Sequence, residues 1–530
     1  MTETLKRTNT SSGTAQTMSG AHALIAALEL HGVDTLFGVP GHGAYPIYDA
    51  LNDFPSMTAF VGRNEQGATF SAEGYSRATG RVSVATSVPK AGLTNAATSI
   101  WEATDQPSRM MFLLEADPTH KPILDQITRY YARADRIEDI APAVHDLMWK
   151  LRRGRPGAAA LEVPNSVLNS KGPVIANAGF DVPALPVPDA TTIASIATIL
   201  SSSTRPAIVA GAPAAEAPEA LVKIAEALRA PVFVDGRSKG AIPDDHPLAL
   251  GFAWSPKRPG DDLLAGADVV LVIGDRTGAA VGSRSENVLK QQVIHVDWDE
   301  LTAGPSRGSI FGNIPSILEA LAAAIVPRTT DAFTAAEIEL VRNAPHVYAE
   351  ETVPWALSVW RDLRAELPRD AIIYTDSLFG LWMARLFPSY LPNSLSFPWG
   401  TGTLGHAVPA ATGGRRAFPN RTIVAIAGDG AFLYNPQELA TMMLYGQKFI
   451  VIVVNDDCYG AVRDNTFAMF GRSIAHTLKN PDFLSFGHAF DMASTRLRTL
   501  DELPTALRAA VESPRSSLIE IPLELRPPRF

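Results

Sequence analysis

Two segments indicate the architecture of this chain: Arg421-Thr-Ile-Val-Ala-Ile-Ala-Gly428-Asp429-Gly430-Ala431-Phe432 and Phe449-Ile-Val-Ile-Val-Val-Asn455-Asp456-Asp457-Cys458-Tyr459-Gly460. Each part begins with a continuous apolar run, which is typical of a parallel strand that is buried on both faces. The 24 residues between Gly430 and Asn455 are enough for one helix and a return strand. We therefore predict that Asp429 and Asp456 lie at the carboxyl ends of neighbouring parallel strands, the edge where open α/β sheets bind ligands.

Two carboxylates at such an edge, flanked by glycine-rich backbone, suit a Mg²⁺ ion that carries a phosphate group. The helix between the strands is predicted to begin with a capping box, with Asn435 as the N-cap, Pro436 at the first helical position and Glu438 three residues after the cap. Gly-Asp-Gly alone is a weak motif, but the second acid at the end of the next strand favours a functional site.

Gly428-Asp429-Gly430 with Asn455-Asp456 at this spacing resembles the diphosphate and Mg²⁺ motif of thiamine diphosphate (ThDP) enzymes, in particular the acetolactate synthase and benzoylformate decarboxylase group. The resemblance implies that Asp429, Asp456 and the backbone carbonyl of Cys458 bind the metal. The second ligand is more often Asn in this family, so Asp456 adds a negative charge beside the diphosphate. Further cofactor contacts are implied for Gly428, Gly430, Ala431, Tyr459 and Gly460.

The N-terminal third carries a second part of the resemblance. Residues 36–43, 63–68 and 72–80 are similar to the pyrimidine-binding half of the same family, in which Glu65 is the signature acid. Such a carboxylate hydrogen-bonds a ring nitrogen of the aminopyrimidine and favours the tautomer that can take the proton from the thiazolium carbon. The resemblance therefore implies that Glu65 directs proton transfer while the cofactor supplies the carbanion chemistry.

A third part is Trp399-Gly-Thr-Gly402-Thr-Leu404-Gly405-His406-Ala-Val-Pro-Ala-Ala411. In the family, the residue at Leu404 supports the bent shape of the cofactor and the Gly402 carbonyl accepts a hydrogen bond from the aminopyrimidine. The same segment is formally GxGxxG, so a nicotinamide-dependent oxidoreductase is the rival interpretation. That alternative is weak because Pro398 precedes the glycines where a buried strand is required. The sequence also contains no GxxxxGK[ST] phosphate-binding loop.

The composition of the chain indicates how many domains it has and which partners it does not suit. The 530 residues exceed one hydrophobic core, and they predict about three domains. A net charge of -9 argues against nucleic acid or an anionic membrane as a partner. The apolar runs are too short to span a bilayer. With Cys458 as the single cysteine, no internal disulfide can form, and we expect a reducing, cytoplasmic location.

The predicted fold class is α/β, with three doubly wound domains built on mainly parallel sheets. We expect a flexible tail at residues 1–18, a pyrimidine-binding domain at 19–185, a central α/β domain at 190–325 and a diphosphate- and Mg²⁺-binding domain at 345–526, with a proline-rich linker at 183–188. The first and third domains should share a sheet plan by family resemblance. The central domain binds FAD or an ADP group in some family members, but no residue pattern here indicates either ligand.

Family resemblance also places the cofactor between the first domain of one subunit and the third domain of another, so a homodimer or homotetramer is expected. Several residues near the expected pocket depart from the family pattern, and we assign catalytic or substrate-binding roles to them as hypotheses. Lys90 or His42 is predicted to meet a substrate carboxylate or to relay protons. The hypothesis covers His42 and His406 as catalytic residues and Lys90, Asn64 and Trp399 as substrate contacts.

The leading functional prediction is a ThDP- and Mg²⁺-dependent enzyme that decarboxylates a 2-oxo acid and joins the product to a second carbonyl, as acetolactate synthase does. A simple 2-oxo acid decarboxylase of the benzoylformate decarboxylase type is the runner-up, and a 2-hydroxyacyl-CoA lyase is third. A non-catalytic ThDP-binding relative is a more distant alternative, because Glu65, Gly402 and Asp429 are all retained.

Overall fold

The computed structural model describes residues 15–523 apart from residues 107, 179, 181–186, 253–258, 275–292 and 303–305. Three six-stranded sheets, each parallel throughout, organise the described chain. The predicted fold class is therefore confirmed. No helix among the described residues is both long enough and apolar enough to cross a membrane.

The first domain contains one six-stranded sheet and a small antiparallel pair. Its strands are β1 (Gln16–Ser19), β2 (Thr35–Gly38), β3 (Thr58–Val61), β4 (Ser83–Thr86), β5 (Arg109–Glu115), β6 (Tyr130–Arg133), β7 (Gly157–Val163) and β8 (Lys171–Val174). Its α-helices are Gly20–Leu30, Tyr45–Ala50, Glu65–Thr79, Ala91–Asp105, Lys121–Ile127, Ile140–Arg153 and Asn165–Asn169.

The central domain is a second α/β unit with one six-stranded sheet. Its strands are β9 (Pro206–Ala210), β10 (Val232–Val234), β11 (Ala249–Gly251), β12 (Val269–Ile273), β13 (Val293–Asp297) and β14 (Gly308–Phe311). Its α-helices are Ala190–Ser202, Pro218–Leu228, Pro259–Ala265 and Ile314–Ala324. The long helix Ala335–Thr352 leads from this domain to the next.

The third domain carries the two strands that opened the sequence analysis. Its strands are β15 (Ile372–Thr375), β16 (Leu395–Ser396), β17 (Ile423–Gly428), β18 (Ile450–Asn455), β19 (Ala493–Arg496) and β20 (Ser517–Pro522). Its α-helices are Pro354–Glu366, Ser377–Leu386, Ala407–Ala417, Asp429–Phe432, Glu438–Leu444, Gly460–Phe470, Phe483–Ala489 and Leu503–Glu512.

The first and third sheets share one strand order. The first is β3-β2-β4-β5-β7-β6 and the third is β16-β15-β17-β18-β20-β19, so both follow the order 2-1-3-4-6-5 when strands are counted within the domain. The expected common plan is confirmed. In each sheet the order reverses beside the first strand, and ligands of open α/β sheets bind at the carboxyl ends of the strands around that point.

The first and third domains are joined through two helices with small residues at their contact. Glu65–Thr79 lies against Ala407–Ala417, and a side chain added at Gly74 or Gly413 would overlap the backbone of the opposite helix. The Ser71 hydroxyl donates to the Pro409 carbonyl at 2.9 Å. This close approach fixes the position of Glu65 at the start of one helix relative to Gly402–Gly405 just before the other.

One expectation about a segment changes. Residues 16–18 belong to strand β1, which pairs antiparallel with β8, so the predicted flexible tail through residue 18 is corrected there. Pairing supplies the backbone hydrogen bonds that a free tail would lack. Residues 1–14 and most of the proline-rich linker predicted at 183–188 lie outside the described residues. The other predicted domain limits stay predictions.

A buried pair of neutral histidines connects the end of the helix Gly20–Leu30 to the helix Ile140–Arg153 in the first domain. An Arg152 guanidinium N–H donates to His31 Nδ1 at 3.1 Å, so His31 Nε2 carries the proton and donates to His145 Nδ1 at 2.8 Å. His145 Nε2 in turn donates to the Ala176 carbonyl at 3.0 Å. Burial, with the nearby Arg152 charge, lowers the pKa of His31 to about 3, and burial also lowers the pKa of His145.

These histidines should make the free energy of unfolding depend on pH in one direction. The folded state keeps His31 neutral down to a pKa of about 3, whereas the unfolded state takes up a proton near pH 6.5. The stabilisation is therefore complete above pH 6.5, and it falls by at most about 1.4 kcal/mol per pH unit below it. Urea unfolding at pH 5.0 and 7.5 measures the effect.

The variant His31→Leu should lose stability at pH 7.5 and show a smaller difference between the two pH values than the wild type does. The exposed His488 offers a matched control, because His488→Leu removes a histidine outside this pair. An equal pH difference in wild type and His31→Leu would contradict the assignment.

Candidate active site

Asp429 lies at the carboxyl end of β17, and the neighbouring strand β18 leads to Asp456. Asp429 is 2% exposed, and the nearby backbone N–H groups of Gly430 and Cys458 favour its charged form. Its carboxylate accepts the Asn480 side-chain N–H at 2.6 Å. Burial raises the pKa of Asp429, and these donors act against that rise. The two loops that the sequence predicted at one sheet edge are thus in contact.

Residues 476–480 run across the loop that follows β18. The Tyr459 N–H donates to the His476 carbonyl and the Leu478 N–H donates to the Asp457 carbonyl, both at 2.8 Å. This pairing brings the Asn480 amide to three oxygens, those of Asp429, Asn455 and Asp457. Sequence reasoning missed Asn480, because it lies far along the chain from both motifs and belongs to no pattern.

The residues of this edge suit a metal-bound diphosphate by their chemistry. The predicted metal donors are the side chains of Asp429 and Asp456 and the carbonyl of Cys458, all hard oxygen atoms of the type that Mg²⁺ prefers. The helix Gly460–Phe470 begins beside them with no side-chain cap and no acidic residue in its first turn. Its first N–H groups are therefore open to an anion.

The part of the chain that the structure describes has no group of three or more His, Cys, Asp or Glu side chains that could hold a metal ion. The predicted metal ligands include only two side-chain carboxylates, and the third ligand is a backbone carbonyl. The predicted site is therefore compatible with the absence of a group of three such side chains from the described residues. Ala431 is buried in the short helix Asp429–Phe432, and Gly460 is the first residue of its own helix. Tyr459 immediately precedes that helix.

Glu65 is the first residue of its helix and is partly exposed. Its Oε2 accepts the Asn95 side-chain N–H at 3.0 Å. Asn64, predicted as a substrate contact, instead uses its side chain as the N-cap and accepts the Gln66 N–H at 2.8 Å. Because Asn64 is the N-cap, Glu65 is held at the first position of the helix, where its side chain is partly exposed.

His42 and Lys90 follow β2 and β4, and Glu115 is the last residue of the neighbouring strand β5. His42 is exposed after β2, with its ring edge toward Tyr45. Lys90 follows β4 with a left-handed φ of 57°, and its ammonium lies 3.4 Å from the Asp117 carboxylate. The Glu115 side chain packs against Gly43, one residue after His42. These residues therefore converge at the carboxyl edge of the sheet.

His406 is placed differently from its predicted catalytic role. It is 1% exposed, its Nε2 lies 3.1 Å from Glu73 Oε2, and its Nδ1 lies 3.0 Å from the Thr375 carbonyl. Burial alone would lower its pKa, but the Glu73, Asp376 and Glu102 carboxylates outweigh burial and raise it. Both ring nitrogens face acceptors inside the protein, so the geometry gives His406 a part in the domain contact.

The remaining predicted residues lie on the loop before the helix Ala407–Ala417. Gly402 is exposed with φ of 63°, and Leu404 is partly buried against the core of the third domain. Trp399 packs its ring against Phe252 at 5.8 Å and Phe397 at 5.5 Å, which is a structural setting. The cofactor contacts of Gly402 and Leu404 stay predictions.

Glu438 departs from the predicted capping box. The helix begins at Glu438 itself, and the Asn435 side chain donates to the Gly405 carbonyl at 2.9 Å instead of capping it. The buried Glu438 carboxylate accepts the backbone N–H groups of Arg63 at 3.1 Å and Asn64 at 3.2 Å. Tertiary contact with the first domain has replaced the local cap, and it anchors the residues just before Glu65.

Removing this anchor should destabilise the protein. In Glu438→Ala the N–H groups of Arg63 and Asn64 lose their acceptor inside the protein, which costs about 1–3 kcal/mol per unsatisfied buried group. We expect the urea midpoint to fall accordingly at unchanged slope. Glu438→Gln keeps an acceptor and should lose less than half as much, so equal losses in both variants would contradict the anchoring role.

Each of the three domains is similar to a domain of known proteins. Family models of thiamine pyrophosphate (TPP) enzymes match residues 18–123 (N-terminal TPP binding domain), 193–321 (central domain) and 378–521 (C-terminal TPP binding domain). A probable 2-ketoarginine decarboxylase of Pseudomonas aeruginosa is 30% identical, with 96% of this chain and 94% of the relative covered.

A probable acetolactate synthase large subunit of Methanocaldococcus jannaschii is 28% identical over 96% of this chain and 92% of its own length. The acetolactate synthase large subunit of Lactococcus lactis is also 28% identical, over 95% of this chain and 92% of its own. These relatives extend over all three domains. The chain therefore belongs to the thiamine pyrophosphate enzyme family.

Proposed function

We propose that this protein uses ThDP and Mg²⁺ to decarboxylate a 2-oxo acid. The acyl group that remains after loss of CO₂ is then joined to the carbonyl carbon of a second substrate. The observation that carries the proposal is the joint retention of Glu65 at its helix start and of Asp429 beside the β18 loop. When bound, ThDP supplies the carbanion chemistry. The acetolactate synthases among the relatives support carboligation as the second step.

The protein's own residues would bind the metal and the diphosphate, move a proton and orient the cofactor and the substrate. Asp429, Asp456 and the Cys458 carbonyl hold Mg²⁺, and the start of the helix Gly460–Phe470 receives the diphosphate. Glu65 holds and moves a proton at the aminopyrimidine ring nitrogen, while Asn95 keeps its carboxylate in place at 3.0 Å. Gly402 and Leu404 orient the cofactor, and His42 and Lys90 face the substrate from the first domain.

A homodimer is part of the proposal. The helix Gly460–Phe470 and the residues after it expose large apolar side chains, including Phe470 at 71% and Ile474 at 84%. Exposed apolar area of this kind is typical of a surface that a second subunit covers. Sedimentation or light scattering of the purified protein tests the assembly. A cytoplasmic location stays a prediction.

The proposal predicts turnover that depends on Glu65 and Mg²⁺. The purified protein with ThDP, Mg²⁺ and a panel of 2-oxo acids should release CO₂ and form an acyloin or 2-hydroxy acid product. Glu65→Gln should lower kcat by about a hundredfold or more, because general acid–base catalysis contributes on that scale. Chelation of Mg²⁺ with EDTA should abolish ThDP binding, and added Mg²⁺ should restore it.

Glu65→Gln should still bind ThDP when titrated by tryptophan fluorescence, so loss of turnover would not reflect loss of the cofactor. Asp501→Asn, on the exposed surface, serves as the control for an acid-to-amide change. Failure of the wild type to bind ThDP with Mg²⁺ would overturn the proposal.

Simple decarboxylation of a cationic 2-oxo acid is the second candidate, and Glu115 favours it. Its Oε2 is shielded from solvent and has no hydrogen-bond partner among the described residues. It lies beside Gly43 and Pro89, at the edge assigned to substrate. A shielded carboxylate oxygen that lacks a donor is stabilised most by a cationic ligand group. The relative named as a probable 2-ketoarginine decarboxylase suggests a guanidinium as that group.

The candidate is tested by comparing 2-ketoarginine with its uncharged analogue 2-oxohexanoate. If Glu115 receives the cation, Glu115→Gln should lower kcat/KM for 2-ketoarginine about tenfold or more and leave that for 2-oxohexanoate within about threefold, because a charged hydrogen bond contributes 1.5–3 kcal/mol. Asp125→Asn, an exposed acid on the same domain, is the control. Equal changes for both substrates would exclude charge recognition by Glu115.

A further inference from the structure

One helix of the first domain reaches the loop that carries Gly402. The helix Ala91–Asp105 places Glu102 against this loop, and the side chain is fully buried at 0% exposure. Glu102 Oε2 accepts the Thr401 backbone N–H at 2.8 Å and the Thr401 hydroxyl at 2.5 Å. Glu102 Oε1 accepts the Gly400 N–H at 3.4 Å. One carboxylate thus binds three donors from two consecutive residues just before Gly402.

The contact continues along the last turn of the same helix. The Gln106 side chain donates to the Phe397 carbonyl at 3.3 Å. A side chain at Gly400 would overlap the Cβ of Asp105, so the loop lies directly on the helix. Thr401 also accepts the Thr403 N–H on its hydroxyl at 3.3 Å, which carries the restraint across Gly402.

This restraint matters because the middle of the loop has few other contacts with the described residues. Thr401 and Gly402 are exposed, and a Cβ at Gly402 would meet only the Ser377 hydroxyl at 3.7 Å. Gly402 has a left-handed φ of 63°, a conformation that glycine leaves easily because it has so much backbone freedom. Without an external contact, the direction of its carbonyl would vary.

Resting on the proposed function, we infer that Glu102 is a positioning residue that fixes the loop 399–404 and thereby the Gly402 carbonyl that receives the aminopyrimidine. The charge of Glu102 strengthens its bonds to the N–H and O–H donors, since an ionised acceptor binds them about twice as strongly as a neutral one. Burial and the neighbouring Glu73 raise the pKa of Glu102, and the Thr401 donors oppose that rise. Glu102 acts on the cofactor through the loop and does not touch it.

The inference predicts weaker cofactor binding when the restraint is removed. Glu102→Ala should raise the Kd for ThDP, titrated with excess Mg²⁺, by tenfold or more, and KM for ThDP should rise in parallel. KM for the 2-oxo acid should stay within twofold. Glu102→Gln keeps an acceptor oxygen and should restore at least half of the loss on a logarithmic scale. Asp139→Ala, an exposed acid of the first domain whose side chain makes no capping hydrogen bond, should leave the Kd within twofold.

A second measurement does not need the cofactor. Hydrogen exchange of the protein without ThDP should show faster exchange of the Thr401 amide in Glu102→Ala by tenfold or more, with strand β17 unchanged. If Glu102→Ala does not fold, Thr401→Val removes the hydroxyl contact from the exposed side and should raise the Kd threefold or more. An unchanged Thr401 amide, or an unchanged Kd in folded Glu102→Ala, would overturn the inference.

The two hypotheses fail in different ways. Absence of ThDP binding in the wild type would overturn the proposed function, whereas the exchange of the Thr401 amide would still decide whether Glu102 restrains the loop. Normal ThDP binding in the wild type and an equal Kd in Glu102→Ala would leave the proposed function standing and overturn the role of Glu102.

Discussion

The helices Glu65–Thr79 and Ala407–Ala417 touch backbone to backbone, and this contact determines how the first and third domains are arranged. The backbones approach so closely that Gly74 and Gly413 face the opposite chain without a side chain. Close backbone approach of this kind allows little adjustment, because packed interiors have few voids. Glu65 at one helix start and the Gly402 loop before the other are consequently fixed by the same contact.

Buried charges reinforce this contact between domains. Glu73 lies in one helix and His406 lies just before the other, and the pair is almost completely buried. Asp376 accepts the His406 backbone N–H at 2.8 Å, and burial raises the pKa of Asp376 to about 6. A buried ion pair gives little net stability, but losing one partner leaves an uncompensated charge. The cluster thus favours one arrangement of the two domains over others.

The sequence was sufficient for the architecture and for one half of the site. Continuous apolar runs identify β17 and β18, and the spacing after Gly430 places Asp429 and Asp456 at one edge, because parallel strands end together. Glu65 was identified by family resemblance, and its helix begins where that motif begins. These features depend on local pattern and on strand order, which a sequence contains.

What could not be predicted depends on contacts between distant residues. Asn480 reaches Asp429 only because residues 476–480 pair with the loop after β18. Glu438 has the spacing of a capping box, yet its carboxylate binds the first domain, which offered two unpaired N–H groups. His406 and Trp399 were assigned to the pocket from their neighbours in sequence, whereas their neighbours in space are Glu73 and Phe252.

The helix Ala91–Asp105 has a consequence for an assembled pair of subunits. Asn95 and Glu102 are seven residues apart, so they lie on the same face of the helix about 10 Å apart. Asn95 holds Glu65, and Glu102 holds the loop of Gly402. In the proposed homodimer, Glu65 and Gly402 of one chain serve different cofactors. This one helix would then link Glu65 at one reaction centre to the Gly402 loop at the other.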